Sequence, residues 1–148
     1  MVKSILEKVA EASSHIAGQI GRKPQIAVIL GSGLGALADE VRQDRIEIPY
    51  SQIPNFPVSR VEGHENKLIF GKIYHKDVIL LQGRFHYYEG YSLDDITLPI
   101  RVLAFLGVES IIMSNAAGGI NKSFKPQDLM LITDHINLSR TIPFKGTE

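Results

Sequence analysis

Ile26-Ala27-Val28-Ile29-Leu30 runs directly into Gly31-Ser32-Gly33-Leu34-Gly35. Consecutive apolar residues, rich in β-branched side chains and bounded by Pro24 and Gly31, read as a strand buried on both faces. The glycines permit positive φ and let a ligand approach the backbone closely. Ala36 to Val41 then reads as a short helix. A strand, a glycine turn and a helix in succession aim backbone N–H groups at an anion, and a helix opening near Leu34 adds its dipole. Taken alone, the loop fits a tight turn without a ligand equally well. It also fits the relaxed dinucleotide fingerprint through Gly31-x-Gly33-x-x-Ala36. That fingerprint needs a crossover helix and a second parallel strand ending in an acid. Glu47 is close to the right place, but Pro49, Pro54 and Pro57 follow it, so a dinucleotide-binding domain is the minor alternative. A hydrolase elbow, G-x-S-x-G, is absent around Ser32.

Working outward, Ser4 to Ile20 reads as a helix. Ser4 and Glu7 form a capping-box pattern, Ile5, Val9, Ala12, Ile16 and Ile20 share one face, and Gly21 stops it. Arg45 to Ile48 alternates as a strand, and the three prolines mark a stiff loop. Leu68 to Ile73 and Val78 to Gln82 read as neighbouring strands. Ser92 with Asp95 opens a second helix ended by Gly107, with Pro99 inside it predicting a kink or a late start. Asp94 and Asp95 offset that helix's dipole. Val108 to Ser114 and Leu129 to Thr133 complete the strand set. The sum is a single α/β domain over residues 1–148, a mixed, twisted sheet flanked by helices. Glycine-containing turns follow Leu30 and Ser114, so both turns are expected to line one crevice beyond the carboxyl ends of their strands.

Composition narrows the function. The chain has 148 residues, 44% of them hydrophobic, and its 16 Lys+Arg balance 16 Asp+Glu. It is too apolar for disorder to be its main state. Zero net charge argues against a general nucleic-acid binder. No apolar run approaches the ~20 residues of a membrane helix, and no signal-peptide core follows Lys3. The absence of Cys excludes a disulfide scaffold and Cys-based zinc sites. The expectation is a soluble, cytoplasmic globular domain.

The chemistry-bearing stretch is Gly83-Arg84-Phe85-His86-Tyr87-Tyr88-Glu89-Gly90. A core cannot absorb so many polar aromatics, so a surface site is favoured. Arg84 offers a planar fork for bidentate phosphate binding. His86 suits donation to a phosphate oxygen or a proton shuttle. Tyr88 suits stacking on a sugar or donation to a hydroxyl, whereas Tyr87 and Tyr91 read as side chains closing over the loop. His64, beside Gly63 in a polar loop, reads alone as an ordinary surface histidine. Asn115-Ala116-Ala117-Gly118-Gly119 lets a ligand lie near the backbone, or is simply a compact strand exit. His15, His64, His75, His86 and His135 show no metal-ligand spacing, so no metal site is expected.

Taken in order, these segments resemble the trimeric purine nucleoside phosphorylases. The matching runs are Gly31-Ser32-Gly33-Leu34-Gly35, Ile53-Pro54-Asn55-Phe56-Pro57, Gly63-His64, Gly83 to Tyr91, Asn115-Ala116-Ala117-Gly118-Gly119 and Asp134-His135-Ile136-Asn137-Leu138. The resemblance covers about Pro24 to Leu138 and implies phosphorolysis of a purine nucleoside to free base and ribose 1-phosphate. It carries phosphate binding to Ser32, His64, Arg84, His86 and the backbone at Ala116. It places Tyr88 at the ribose, and assigns catalytic roles to His86 and Asn115. Inorganic phosphate is then the co-substrate, with no metal or organic cofactor, no nucleic acid and no membrane, and a homotrimer is implied. The resemblance stops near Ser139, and Arg140 to Glu148 does not follow the family's usual continuation. The chain therefore reads as about the N-terminal half of such an enzyme, with the phosphate half-site and without the purine half-site. A non-catalytic phosphate-binding domain is the main alternative.

Overall fold

The computed structural model describes residues 3–31, 33–59, 65–139 and 142–143. The chain divides into two compact units, Met1–Asn115 and Ala116–Glu148. The first holds α1 (Ile5–Ile20), β1 (Ile26–Leu30), β2 (Gln43–Pro49), β3 (Lys67–Ile73), β4 (Lys76–Gln82), α2 (Leu93–Phe105) and β5 (Ser110–Met113). The strands form one mixed sheet in the order β2-β3-β4-β1-β5. β1 lies between β4 and β5 and is parallel to both. β3 is antiparallel to β2 on one side and β4 on the other.

Both helices start where their side chains can satisfy free backbone donors. The Glu7 N–H donates to Ser4 Oγ at 3.2 Å, and the Ser4 N–H donates back to the Glu7 carboxylate at 2.7 Å. The Ser4 N–H, together with the Ser4 hydroxyl donating at 2.9 Å, holds the Glu7 carboxyl below the usual carboxylate range. Ser92 caps α2 by accepting from the Asp95 N–H at 3.2 Å, and its hydroxyl donates to the Asp95 carboxylate at 2.6 Å. Gly21, at φ 65°, ends α1 in the left-handed region. α2 runs as one helix through Pro99, which is buried.

Strand alternation sorts the core into two layers. Ala27, Ile29, Leu68, Phe70, Ile79 and Leu81 face the helices and pack with Val9, Ala12, Ile16, Leu98, Val102 and Leu103. Each Val, Leu, Ile or Phe side chain among them contributes about 1.5–3 kcal/mol on full burial. The opposite face is covered more thinly, by Ala38 and Val41 over Ile69, Val78 and Leu80. Gly71 makes that cover possible. A Cβ there would sit 2.7 Å from the Gln43 carbonyl oxygen.

The short helix expected after the first glycine loop forms in 3-10 geometry, Gly35–Glu40. Six residues in 3-10 geometry bring no α-helical dipole to bear, so that part of the anion argument fails. Leu129–Thr133 forms no strand, although its composition suits one. A strand exists only through a hydrogen-bonded neighbour, and among the described residues this segment has none in a ladder. In the second unit, Asn121 Oδ1 accepts from the Ser123 N–H, and Asp128 Oδ2 from the Lys125 N–H.

An aromatic knot joins the sheet to the loop after β4. Tyr50 is fully buried, with ring centroids 5.5 Å from both Phe56 and Phe85, and Phe85 meets Tyr91 at 5.9 Å. The Tyr50 hydroxyl donates to the Gly83 carbonyl at 2.9 Å. Burial pushes its phenol far above the ordinary value near ~10. A raised folded-state value stabilises fully below the unfolded value, and that contribution is lost as pH rises above it. Tyr50→Phe strands the Gly83 carbonyl and should cost about 1–3 kcal/mol in urea unfolding at neutral pH. Wild type should lose part of that advantage in unfolding curves recorded above pH ~10, so an undiminished gap between the two proteins there would refute the buried-phenol account.

Candidate active site

Parallel pairing brings the ends of three strands to one edge of the sheet. Leu30 lies beside Gln82 in the β1–β4 register, and Ile29 lies beside Met113 in the β1–β5 register. Gly31, Gly83-Arg84 and Ser114-Asn115 therefore emerge side by side, at the carboxyl ends where open α/β sheets bind ligands.

Ser114 ties the three exits together. Its Oγ accepts from the Gly31 N–H at 2.9 Å, and its own N–H donates to the Ile29 carbonyl at 3.4 Å. Its carbonyl accepts from Arg84 Nη1 at 2.7 Å. A Cβ on Gly31 would lie 2.8 Å from the Ser114 carbonyl oxygen, so only glycine allows the two exits to meet. Gln82 Nε2 donates to the Gly35 carbonyl at 3.1 Å, pinning the far side of the glycine loop to β4.

The Arg84 loop carries the charged cluster. Arg84 Nε donates to His86 Nε2 at 3.2 Å. His86 Nδ1 lies 3.1 Å from Glu89 Oε1, which also accepts from the His86 backbone N–H at 2.9 Å. An Nε2 that accepts from arginine places the ring proton on Nδ1, where it is donated to the carboxylate. The Glu89 side chain is only 8% exposed. A carboxylate so far from water needs these donors, and Ser59 Oγ supplies another at 2.8 Å. The His86 ring stacks on Tyr88, with centroids 4.8 Å apart and planes at 18°.

The chemical capacity of the cluster is clear from its partners. A guanidinium has five N–H donors. Arg84 spends two on protein, one on a carbonyl and one on a neutral imidazole. The other three make no hydrogen bond to the described residues, and among those residues no carboxylate is paired with its charge. A phosphate reaching Arg84 would also meet His86 Nε2, which could take a phosphate proton once the Arg84 Nε–H turned from it to the anion. Among the described residues, no group of three or more His, Cys, Asp or Glu is placed to hold a metal ion.

Of the sequence candidates, Arg84, His86 and Tyr88 come together in this loop, and Asn115 follows Ser114 on the same edge. Ser32 and His64 lie outside the described residues. Ala116 belongs to the second unit. Tyr91 does close over the loop, meeting Phe85 and donating to the Val58 carbonyl at 2.6 Å. Tyr87 does not: it is 67% exposed. The dinucleotide alternative fails on topology. β2 lies at the far edge of the sheet, antiparallel to β3, so no βαβ unit follows the glycine loop. Sequence reasoning missed Glu89, Ser114 and Ser59. The three-residue spacing of His86 and Glu89, that of a capping box, was the one signal available for the first.

Comparison with known proteins places the chain. The model of the phosphorylase superfamily matches residues 25–148. Purine nucleoside phosphorylase 1 of Geobacillus stearothermophilus is 57% identical over 129 residues, covering 87% of this chain and 47% of the relative. Purine nucleoside phosphorylase 1 of Bacillus subtilis (strain 168) is 49% identical over 140 residues, covering 95% and 51%. A solved purine nucleoside phosphorylase in complex with ribose 1-phosphate superposes with a TM-score of 0.76 at 50% identity, covering 84% of this chain and 46% of that one. The chain spans about half the length of the curated relatives it matches.

Gly31→Ala forces the β1 and β5 exits apart, because its neighbour is backbone. It should lower stability by about 1–3 kcal/mol in chemical unfolding. It should also shift the amide resonances of Ser114 and the Arg84 side chain in NMR spectra. Unchanged resonances at both positions would show that the exits tolerate a methyl group.

Proposed function

From this chain's membership of the phosphorylase superfamily, we propose that its carboxyl-edge cluster is the phosphate side of a purine nucleoside phosphorylase site. The observation that carries the reading is the Arg84–His86–Glu89 constellation. It presents uncommitted guanidinium donors beside an oriented imidazole, one strand away from a glycine loop. The relatives that share this chain's sequence are named purine nucleoside phosphorylases.

The reaction is phosphorolysis. A phosphate oxygen forms a bond to the anomeric carbon of the ribose, and the carbon–nitrogen bond to the purine breaks. The bonding pair leaves with the base, which takes up a proton, and ribose 1-phosphate remains. The transition state resembles an oxocarbenium ion, as in other glycosyl transfers. Phosphate is itself the nucleophile, so the protein needs no covalent group. Its task is to hold an anion beneath the anomeric carbon, through positioning and electrostatics.

Each residue then has a part. Arg84 binds the phosphate oxygens, as do Ser32, His64 and the Ala116 backbone N–H. His86 Nε2 takes a proton from monohydrogen or dihydrogen phosphate, and Glu89 stabilises the imidazolium that forms. Tyr88 stacks on His86 and lies along the ribose. Asn115 sits beside phosphate and sugar. All of these serve the phosphate and the sugar, and none serves the base. Phosphate is the co-substrate, with no further cofactor, and the working assembly is a cytoplasmic homotrimer.

A phosphate titration of the chain, followed by amide NMR, tests the reading. The Gly31, Gly33, Gly35 and Arg84 amides should shift saturably. Arg84→Ala should weaken binding by roughly tenfold or more, the scale of a lost charge-assisted bond. No saturable shift in the wild-type chain would sink the phosphate reading.

A further inference from the structure

We infer that Ser59 is a positioning residue for the phosphate imidazole, acting through Glu89; the inference deepens the phosphorolysis reading and rests on it for its effect on phosphate. Among the described residues, the two oxygens of the Glu89 carboxylate meet different donors. Oε1 accepts from the His86 backbone N–H and faces His86 Nδ1. Oε2 accepts from the Ser59 hydroxyl at 2.8 Å. The two oxygens of a carboxylate are rigidly linked, so fixing Oε2 fixes the direction of Oε1. The Ser59 hydroxyl therefore selects the carboxylate rotamer that keeps the ring proton on Nδ1 and leaves Nε2 as the acceptor.

Ser59 is built to be held still. It is 5% exposed. The Asn66 side chain clamps its backbone from both sides, accepting from the Ser59 N–H and donating to the Ser59 carbonyl, each at 2.8 Å. Asn66 is fastened in turn to the core, since its carbonyl accepts from the Tyr50 N–H at 2.8 Å. The hydroxyl is thus presented from a frame continuous with the aromatic knot, and not from a mobile side chain. A serine needed only for packing would require neither the clamp nor a bond to a carboxylate 30 positions away.

The clamp uses only the Ser59 backbone, so Ser59→Ala removes the hydroxyl and leaves the frame in place. The test is carried out on the 148-residue chain. The ring nitrogens of His86 are read by long-range proton–nitrogen NMR without ligand, in wild type, Ser59→Ala, Ser59→Thr and Glu89→Gln. Inorganic phosphate is then titrated into each. In wild type, Nδ1 should show a protonated and Nε2 an unprotonated shift. In Ser59→Ala, both should move toward the values averaged between tautomers, Glu89→Gln should do the same, and Ser59→Thr should restore the wild-type pattern. Phosphate affinity should fall by roughly three- to tenfold in Ser59→Ala, the range for one ordinary hydrogen bond acting through Glu89 and not on the anion itself, and recover in Ser59→Thr. Ring signals in Ser59→Ala that superimpose on wild type overturn the inference, and so do unmoved ring signals in Glu89→Gln. If the ring signals move while wild type itself shows no phosphate binding, the positioning role stands and the phosphorolysis reading falls.

Discussion

The close approach of Gly31 to Ser114 is the constraint from which the site follows. Parallel strands normally diverge into separate loops once their ladder ends. Here the serine hydroxyl takes the first N–H beyond β1, while its carbonyl faces Arg84. The missing side chain at Gly31 closes the gap, because 2.8 Å to a backbone oxygen leaves no room for carbon. Three loops with no sequence proximity, after positions 30, 82 and 113, become one surface. Without that contact the guanidinium would lose its fixed carbonyl partner and the glycine loop its inner hydrogen bond.

The Arg84 loop is held from below as well as from the side. Tyr50 sits at the base of the aromatic knot and donates to the carbonyl of Gly83, whose φ of 125° is open only to glycine. Gly90, at φ 88°, turns the chain away after Glu89. Between those two glycines the side chains alternate in destination. Phe85 goes into the knot, Arg84 and His86 go to the edge, and Glu89 folds back under His86. Apolar burial in the knot thus supports the polar cluster above it, and the polar cluster adds direction that apolar packing lacks.

Much of this was legible in the sequence, and the parts that were not share a physical cause. The capping box at Ser4 and Glu7, the β1 run, β3, β4 and α2 all declare themselves through local pattern, and each formed. Arg84 and His86 stood out because polar aromatics between glycines have no place in a core. Glu89, Ser59 and Ser114 did not stand out, because their roles exist only through partners brought near by the fold: Ser59 reaches Glu89, and Ser114 reaches Gly31. Leu129–Thr133 erred in the other direction. Its composition favours a strand, but propensity supplies no neighbour, and pairing decides. The 3-10 turn at Gly35–Glu40 shows the same limit, since its short run of helix formers could not reveal which helical geometry would form.

The distribution of charge explains why the edge suits an anion before any ligand arrives. A cation beside a carboxylate is ordinarily neutralised by it, as Arg45 is by Glu47 and Lys3 by Glu11 elsewhere on this chain. At the edge the carboxylate is engaged otherwise. Glu89 faces away from Arg84, toward Ser59 and the Nδ1 side of His86, so the neutral imidazole stands between the two charges. Arg84 keeps its positive charge in a partly buried place, where the field of a unit charge is stronger than in bulk water. The cost of holding it there is reduced by the Ser114 carbonyl, a dipole rather than a counter-ion. On the reading proposed above, an incoming phosphate would displace no carboxylate among the described residues. It would complete a charge arrangement that the serine, the imidazole and the carbonyl leave open by one anion.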